Sequence, residues 1–278
     1  MNRRHCANVS AEVDDSPTAL LELAIDFAER VADRHAAGGT GDVDSKSSST
    51  DPVTQVDTDS EQMITEAIRA TRPNDGIFGE EGIDVTGTSG FRWIIDPLDG
   101  TVNYLYGFAA HAVSIAVEQT SQGETTTIVG VVHDTALGNV YSAAAGNGAW
   151  VHRGEQLPRL LRANDVSDPG HALLATGFGY DPEVRRAQGK TIAQLLPQVR
   201  DIRRAGSAAL DMCFVASGSV DAYYETGPHL WDVAAGSLIV TEAGGRVTYD
   251  PDRRRVIAAG RYLYDPLEDM IVAAENRG

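Results

Sequence analysis

In the stretch 91-FRWIIDPLDGT-101 a run of core-type residues leads directly into two acids. The apolar residues 93–95 predict a buried strand. Asp96 and Asp99 follow it, and Pro97 between them fixes the local backbone. A carboxylate beside a core is costly unless a positive group pairs with it. We therefore expect a metal ion at these two acids.

The composition is that of a soluble globular protein with an acidic surface. The chain has 278 residues, is 42% hydrophobic and carries a formal net charge of −17. This charge argues against nucleic acid and membrane partners, although bound cations would still admit an anionic substrate. No apolar run reaches the roughly 20 residues of a membrane span, and the N-terminus lacks a signal peptide's apolar core. Only two cysteines, Cys6 and Cys213, fit a reducing, cytoplasmic location, and we expect Cys213 in the core.

Helical and strand patterns alternate along the chain and indicate a layered α/β or α+β architecture. We predict a flexible tail over 1–15, an N-terminal α+β half over 16–166 with the metal site, and a C-terminal α/β half over 167–278. Helical spacing follows Ser16 and Pro17, and a second helix is predicted from Thr58 to Arg72.

Three acidic clusters stand at the ends of predicted elements: Glu80 in "GEEG", the pair Asp96 and Asp99, and Asp232 at a helix start. Magnesium prefers about six oxygen ligands, so carboxylates from distant segments, with the carbonyl of Leu98, would hold two ions. Taken singly, such acids are more often turn residues or helix caps. Spacing alone does not bring the clusters together.

The segment after these acids, "DGT", suits a phosphate. Gly100 lets backbone approach a ligand closely, and free N–H groups at a helix start favour an anion. Metals beside a phosphate pocket indicate metal-assisted phosphoryl hydrolysis.

The motifs "GEEG", "WIIDPLDGTVNY" and "WDVAAGSLIVTEAGG", in this order, resemble the inositol monophosphatase family of magnesium-dependent, lithium-sensitive phosphatases. The resemblance covers nearly the whole chain, from about residue 20 to residue 274. It implies a layered αβαβα sandwich, a cytoplasmic homodimer and two or three Mg2+ ions per subunit.

The resemblance also implies roles for individual residues. Metal ligands would be Glu80, Asp96, Asp99, Asp232 and the carbonyl of Leu98. Catalytic roles would belong to Glu80, Asp96, Thr101 and Lys46, with Glu80 and Thr101 activating the attacking water. The backbone amides of Gly100 and Thr101 would contact the phosphate.

The polar stretch "SKSSSTDPVTQVD" resembles the family's mobile metal-associated loop. Lys46, Asp51 and Asp57 occupy the matching positions, and the two acids would serve a lid or a third metal. Without the resemblance the stretch is a mobile connector, and an N-cap role competes for Asp57.

The second half carries the residues expected to contact the alcohol. "AGSAALDMCFVASGSVDAYYETGPHLWD" resembles the inositol-type enzymes, and Glu225 matches the acid that accepts hydrogen bonds from inositol hydroxyls. Ser207 and Ala208 would lie beside the ring, and Asp99 and Asp232 would also contact the substrate. The implied substrate is a small phosphorylated polyol or sugar, above all myo-inositol 1-phosphate.

Other activities of the superfamily stay open. Arg185, Arg186 and Lys190 would accept a second anionic group, as in fructose-1,6-bisphosphate, or form a solvated helix face. Histidinol-phosphate phosphatase, nucleotide phosphatase and a regulatory protein-binding role are the further alternatives.

Overall fold

This computed structural model describes residues 14–39, 43–45 and 52–277. Lys46 and Asp51, and all but the end of the predicted tail, lie outside this part of the chain. The described residues form seven α-helices. They are α1 (Pro17–Ala36), α2 (Gln55–Thr71), α3 (Thr101–Tyr106), α4 (Pro182–Leu195), α5 (Ala208–Ala216), α6 (Leu230–Glu242) and α7 (Tyr264–Glu275).

The first helix begins where the sequence predicts, and the second begins earlier. Ser16 caps α1, its Oγ accepting from the amide of Ala19 at 3.2 Å. Helix α2 begins at Gln55 rather than Thr58, because Thr54 is the N-cap. Its Oγ1 accepts from the amide of Asp57 while the Asp57 carboxylate accepts from the Thr54 amide, a reciprocal capping box.

Two short strands flank residues 46–51 and pair antiparallel: β1 (Val43–Ser45) and β2 (Pro52–Thr54). Eight further strands form the first large sheet, in the order β10-β9-β8-β7-β6-β5-β3-β4. They are β3 (Gly76–Gly79), β4 (Asp84–Val85), β5 (Phe91–Asp99), β6 (Ala112–Ser121), β7 (Glu124–Asp134), β8 (Asn139–Ala144), β9 (Ala149–Arg153) and β10 (Arg159–Leu160).

Strand β5 is longer than predicted and contains both acids of the opening motif. Its pairing with β6 is regular up to Asp96, which faces Ser114, and then shifts, so that Asp99 faces Ala112. The extra residue is a β-bulge, which changes the alternation of side chains along the strand. Asp96 and Asp99 therefore both reach one cavity, although their spacing in a regular strand would put them on opposite faces.

The second sheet has five strands in the order β12-β11-β13-β15-β14. Strand β11 pairs parallel with both of its neighbours, whereas β15 pairs antiparallel with β13 and β14. The strands are β11 (Leu173–Thr176), β12 (Asp201–Arg203), β13 (Ala222–Thr226), β14 (Gly245–Asp250) and β15 (Arg255–Gly260).

The hydrophobic clusters show five layers. Helices α1 and α2 cover one face of the first sheet around Trp93, helices α5 and α6 fill the space between the two sheets, and α4 and α7 cover the outer face of the second sheet around Tyr264. At the central interface β7 lies so close to α6 that a Cβ on Gly130 would meet the Ala235 carbonyl oxygen at 2.6 Å. The layer order is αβαβα, as the family resemblance implies.

Cys213 is fully buried in the central layer, as expected. In the described part of the chain, no helix has the length and apolarity needed to cross a membrane. The predicted boundary near residue 167 falls between β10 and β11, and the division into two halves stays a prediction.

Candidate active site

A cavity of about 490 Å3 opens where the two sheets and the central helices meet. Residues that the sequence predicts as ligands or contacts line it from both sides. They are Glu80, Asp96, Leu98, Asp99, Gly100, Thr101, Ala208, Glu225 and Asp232.

A second cavity, of about 560 Å3, lies near the start of β11. None of the predicted site residues lines it, and two of its polar groups bond to each other, with Asn164 Nδ2 donating to Asp221 at 2.8 Å. The smaller cavity is therefore the candidate site.

Parallel pairing of β3 and β5 places Glu80 beside Asp96. The two strands run side by side, with Gly79 opposite Ile95, and the Glu80 amide donates to the Ile95 carbonyl at 3.2 Å. Glu80 directly follows β3, Asp96 is the next residue of β5, and both line the same cavity.

Helix α6 supplies the third acid. Asp232 lies in its first turn, where the helix dipole favours a negative charge. Its Oδ2 accepts from the His229 amide at 2.5 Å. The carboxyl group of Asp96 interacts with those of Asp232 and Glu80.

Burial and mutual repulsion make these carboxylates costly to ionise. Burial raises the pKa of Asp96 well above its usual range, and the charges of Glu80, Asp99 and Asp232 raise it further. The pKa of Asp232 shifts the same way for the same reasons. Burial raises the pKa of Asp99 to about 6, against the lowering effect of its bonds to Ser207 and Ala209. A nearby cation would offset all three costs.

The donor set fits a hard divalent cation in its chemistry, since it offers carboxylate oxygens from separate segments. Within residues 14–39, 43–45 and 52–277, however, no group of three or more His, Cys, Asp or Glu side chains has the arrangement of a metal site. Asp99 Oδ2 accepts from Ser207 Oγ and the Ala209 amide, and Asp232 Oδ2 accepts from the His229 amide.

Thr101, the first residue of α3, is joined to α2. Its Oγ1 lies 2.9 Å from Asp57 Oδ1 and 3.1 Å from the Leu98 carbonyl oxygen. Asp57 is fully buried, and its other oxygen accepts from Thr54. Asp57 is therefore the N3 residue of the capping box and also the acceptor for Thr101, not the N-cap of α2.

Glu225, at the opposite side of the cavity, is held by two neighbours. The Tyr223 hydroxyl donates to Glu225 Oε2 at 2.7 Å. The backbone of Gly177 lies against the same carboxylate, and a Cβ there would overlap it. Burial raises the pKa of Glu225 to about 7, despite the opposing bond from Tyr223. Glu225 thus changes charge near neutral pH.

Two predicted substrate contacts differ in position. Ala208 lines the cavity, whereas Ser207 is buried and does not. Ser207 Oγ donates to Asp99 Oδ2 at 2.6 Å, and the Ala209 amide donates to the same oxygen at 2.7 Å. Ser207 therefore orients Asp99 rather than contacting the cavity.

The basic residues predicted for a second anion do not line the cavity. Arg185 donates to the carbonyls of Gly179 and Tyr180, and Arg186 pairs with Glu183 on the exposed face of α4. Lys190 is also exposed on that helix. Of the two predicted interpretations, the solvated helix face therefore describes Arg185, Arg186 and Lys190.

Sequence reasoning missed other lining residues, chiefly Tyr180, Arg204, His229 and Arg254. They sit in loops after strands or before α6, where no periodic pattern marks them. The position of His229 just before "WD" was the one available signal.

Comparison with known proteins gives a consistent picture. The family model described as "Inositol monophosphatase family" matches residues 13–277. An inositol-1-monophosphatase of Mycobacterium bovis is 48% identical over 242 residues, covering 84% of this chain and 82% of that protein.

Solved structures agree on the fold. Mycobacterium tuberculosis SuhB superimposes with a TM-score of 0.75 at 38% identity, covering 95% of this chain and 98% of that one. The inositol monophosphatase of Anabaena superimposes with a TM-score of 0.78 at 31% identity, covering 92% and 96%. With the five-layer sandwich and the acid-lined cavity between its sheets, these matches lead to one conclusion: the chain belongs to the inositol monophosphatase family.

Proposed function

We propose that this protein is a Mg2+-dependent phosphatase that hydrolyses a small phosphorylated polyol, with myo-inositol 1-phosphate as the first substrate to test. The proposal rests on the residues that line one cavity. Acids suited to cations, the start of α3 with Thr101, and the acid Glu225 all line it. Such a cavity accommodates a phosphate at one end and a hydroxylated ring at the other.

Glu80, Asp96, Asp99, Asp232 and the Leu98 carbonyl would hold the magnesium ions, two or three per subunit. Bound Mg2+ would lower the pKa of a water and stabilise negative charge on the phosphate. The cost of ionising these acids supports this assignment, because a cation removes it.

Thr101 and Glu80 would orient the attacking water. The Thr101 hydroxyl donates a hydrogen bond to Asp57, so a lone pair of its oxygen can accept a hydrogen bond from that water. Glu80 would then take the water's proton as general base. The amides of Gly100 and Thr101 would bind the phosphate. Lys46 and Asp51 belong to the proposed lid but lie outside the described residues.

Glu225 would select the alcohol. Because Glu225 Oε2 accepts a hydrogen bond from Tyr223, Glu225 Oε1 would accept hydrogen bonds from substrate hydroxyls. Ala208 beside the cavity leaves space for a ring. Lithium sensitivity, a homodimer and a cytoplasmic location are further parts of the proposal that rest on family membership.

The test is phosphate release, with and without Mg2+, from inositol 1-phosphate, fructose 1,6-bisphosphate, histidinol phosphate and 3′-phosphoadenosine 5′-phosphate side by side. We expect Mg2+-dependent release with preference for inositol 1-phosphate. Preference for another substrate would overturn the assignment of the alcohol and keep the metal chemistry. Absence of release from all would contradict the enzyme proposal.

The regulatory alternative has its own discriminating variant. Asp96→Asn is expected to abolish hydrolysis while leaving the fold and any partner surface in place. Binding of a basic protein partner, suited to the −17 net charge, would survive this substitution only if the role does not need catalysis.

A further inference from the structure

The turn between β14 and β15 reaches across to the loop that precedes Asp232. The Gly227 amide donates to the Arg254 carbonyl at 2.7 Å, and the Tyr249 hydroxyl donates to the Pro228 carbonyl at 3.1 Å. Arg254 Nη1 lies 2.6 Å from His229 Nε2. Consecutive residues of this loop are thus each fixed by the same hairpin.

The contact between Arg254 and His229 has one chemical interpretation. A guanidinium donates hydrogen bonds and accepts none, so His229 Nε2 must be the acceptor. The contact fixes the orientation of the ring.

Arg254 makes this contact from an unfavourable backbone conformation. Its φ is +46°, in the left-handed region where a side chain other than that of glycine is strained. A glycine would adopt this conformation at less cost. The side-chain contact is a gain that offsets the strain, and strain of this kind clusters at functional sites.

His229 connects Arg254 to Asp232 through two contacts. Its ring stacks on Trp231 at 4.5 Å with an interplanar angle of 10°, and its amide donates to Asp232 Oδ2 at 2.5 Å. Trp231 in turn contacts Phe78 at 5.3 Å, two residues before Glu80. A shift of the His229 ring would therefore move the first turn of α6 and its acid.

We propose that Arg254 is a positioning residue that fixes Asp232 for cation binding, acting through His229. This inference rests on the proposed function only in taking Asp232 as a magnesium ligand. Groups that orient a metal ligand typically change metal affinity when lost, and Arg254 acts on the ligand Asp232 through His229.

The experiment measures Mg2+ binding by titration calorimetry on the full-length protein, together with Mg2+-dependent kinetics. Arg254→Ala is compared with Arg253→Ala, a matched control in the same turn, where the arginine is exposed and 3.9 Å from Asp250. We expect Arg254→Ala to weaken Mg2+ binding by about tenfold. Arg253→Ala should bind Mg2+ like the wild type, and Arg254→Lys, which still donates to His229, should recover part of the affinity.

The possible results separate clearly. Equal Mg2+ affinity in the Arg254→Ala and Arg253→Ala proteins would overturn the inference. So would a raised substrate KM at saturating Mg2+ with unchanged Mg2+ affinity, because Arg254 would then contact the substrate directly. If Arg254→Ala does not fold, Tyr249→Phe provides the second variant, and a weaker effect in the same direction is expected. Wild-type protein that binds Mg2+ but releases no phosphate would refute the proposed function alone.

Discussion

At the scale of single residues, Glu225 shows how neighbours set the behaviour of one side chain. The resemblance at "YYETG" predicts a substrate-contact role for Glu225, but the sequence did not predict its pKa. The pKa of Glu225 depends on its burial and on the hydrogen bond from the Tyr223 hydroxyl. The close approach of the Gly177 backbone contributes to that burial, and these residues meet only in the folded protein.

The shifted pKa of Glu225 predicts a pH-dependent KM. Because its pKa is about 7, the carboxylate is charged above that pH and is then the better acceptor for substrate hydroxyls. We expect KM for inositol 1-phosphate to fall as pH rises through about 7. Steady-state kinetics at saturating Mg2+ measure it.

Glu225→Gln provides the control for this effect, because the amide does not titrate. Its KM should be higher than that of the wild type by about tenfold at alkaline pH and should lack the step near neutrality. A step that persists in the Glu225→Gln protein would assign the titration to another group.

Thr101 allows a second prediction at this scale. Thr101→Val removes the hydroxyl and leaves Asp57 Oδ1 without its donor, so kcat should fall by about a hundredfold or more. Thr101→Ser keeps the hydroxyl and should retain most of the rate. Single-turnover assays compare the two, and equal rates would remove Thr101 from the reaction.

At the scale of elements, the accuracy of sequence reasoning follows the strength of the local signals. The start of helix α1 was predicted correctly because Ser16 and Pro17 mark it. The start of α2 was missed by three residues because Thr54 and Asp57 are both good N-caps. The bulge in β5 and helix α7, with Pro266 in its first turn, have no such marker.

The capping box of α2 predicts a linked loss of stability and activity. Thr54→Ala removes the side-chain acceptor at the helix start and should cost about 1 kcal/mol in the free energy of unfolding. Because Asp57 would lose the Thr54 hydroxyl, its orientation toward Thr101 would loosen and kcat should fall as well.

Thr58→Ala is the matched control, since Thr58 is an exposed residue in the same turn of α2. Urea denaturation and kinetics of both variants measure the effect. A loss of stability in Thr54→Ala without any loss of kcat would show that Thr101 does not depend on the cap.

At the scale of the whole molecule, the site is built from both sheets. Glu80, Asp96 and Asp99 come from the first sheet, whereas Glu225 and Asp232 come from β13 and from the start of the central helix α6. The spacing of motifs along the chain does not show that they converge, and only the family resemblance anticipated it. Arg254 and Tyr249, from a distant hairpin, were beyond both kinds of inference.

The buried acids predict how stability depends on pH and metal. The folded state raises the pKa values of Asp96, Asp99 and Asp232, so above the usual carboxyl pKa of about 4 the folded protein binds more protons than the unfolded chain. The contribution of these acids to stability should therefore fall as pH rises from about 4 through about 6, the pKa of Asp99, in the absence of metal. Mg2+ binds the folded state and should therefore restore the stability lost at higher pH.

Thermal unfolding in EDTA and in Mg2+ across this pH range measures the effect, and the Mg2+-induced rise in Tm should increase with pH. His35, whose pKa burial lowers to about 3, acts in the opposite direction below its usual pKa, so the comparison uses the difference between the two conditions. Asp96→Asn should be more stable than the wild type in EDTA at alkaline pH and should respond little to Mg2+. A wild-type Mg2+ effect independent of pH would contradict the prediction.

The division of the acids between the two sheets means that they are synthesised at different times. A ribosome makes Glu80, Asp96 and Asp99 early, and Asp232 and the hairpin that holds its loop only near the end of synthesis. A nascent chain can therefore assemble the first sheet while its acids still lack their last partner. The acids of the site are complete only once α6 has been made, so a chain terminated before α6 is expected to be inert rather than partly active.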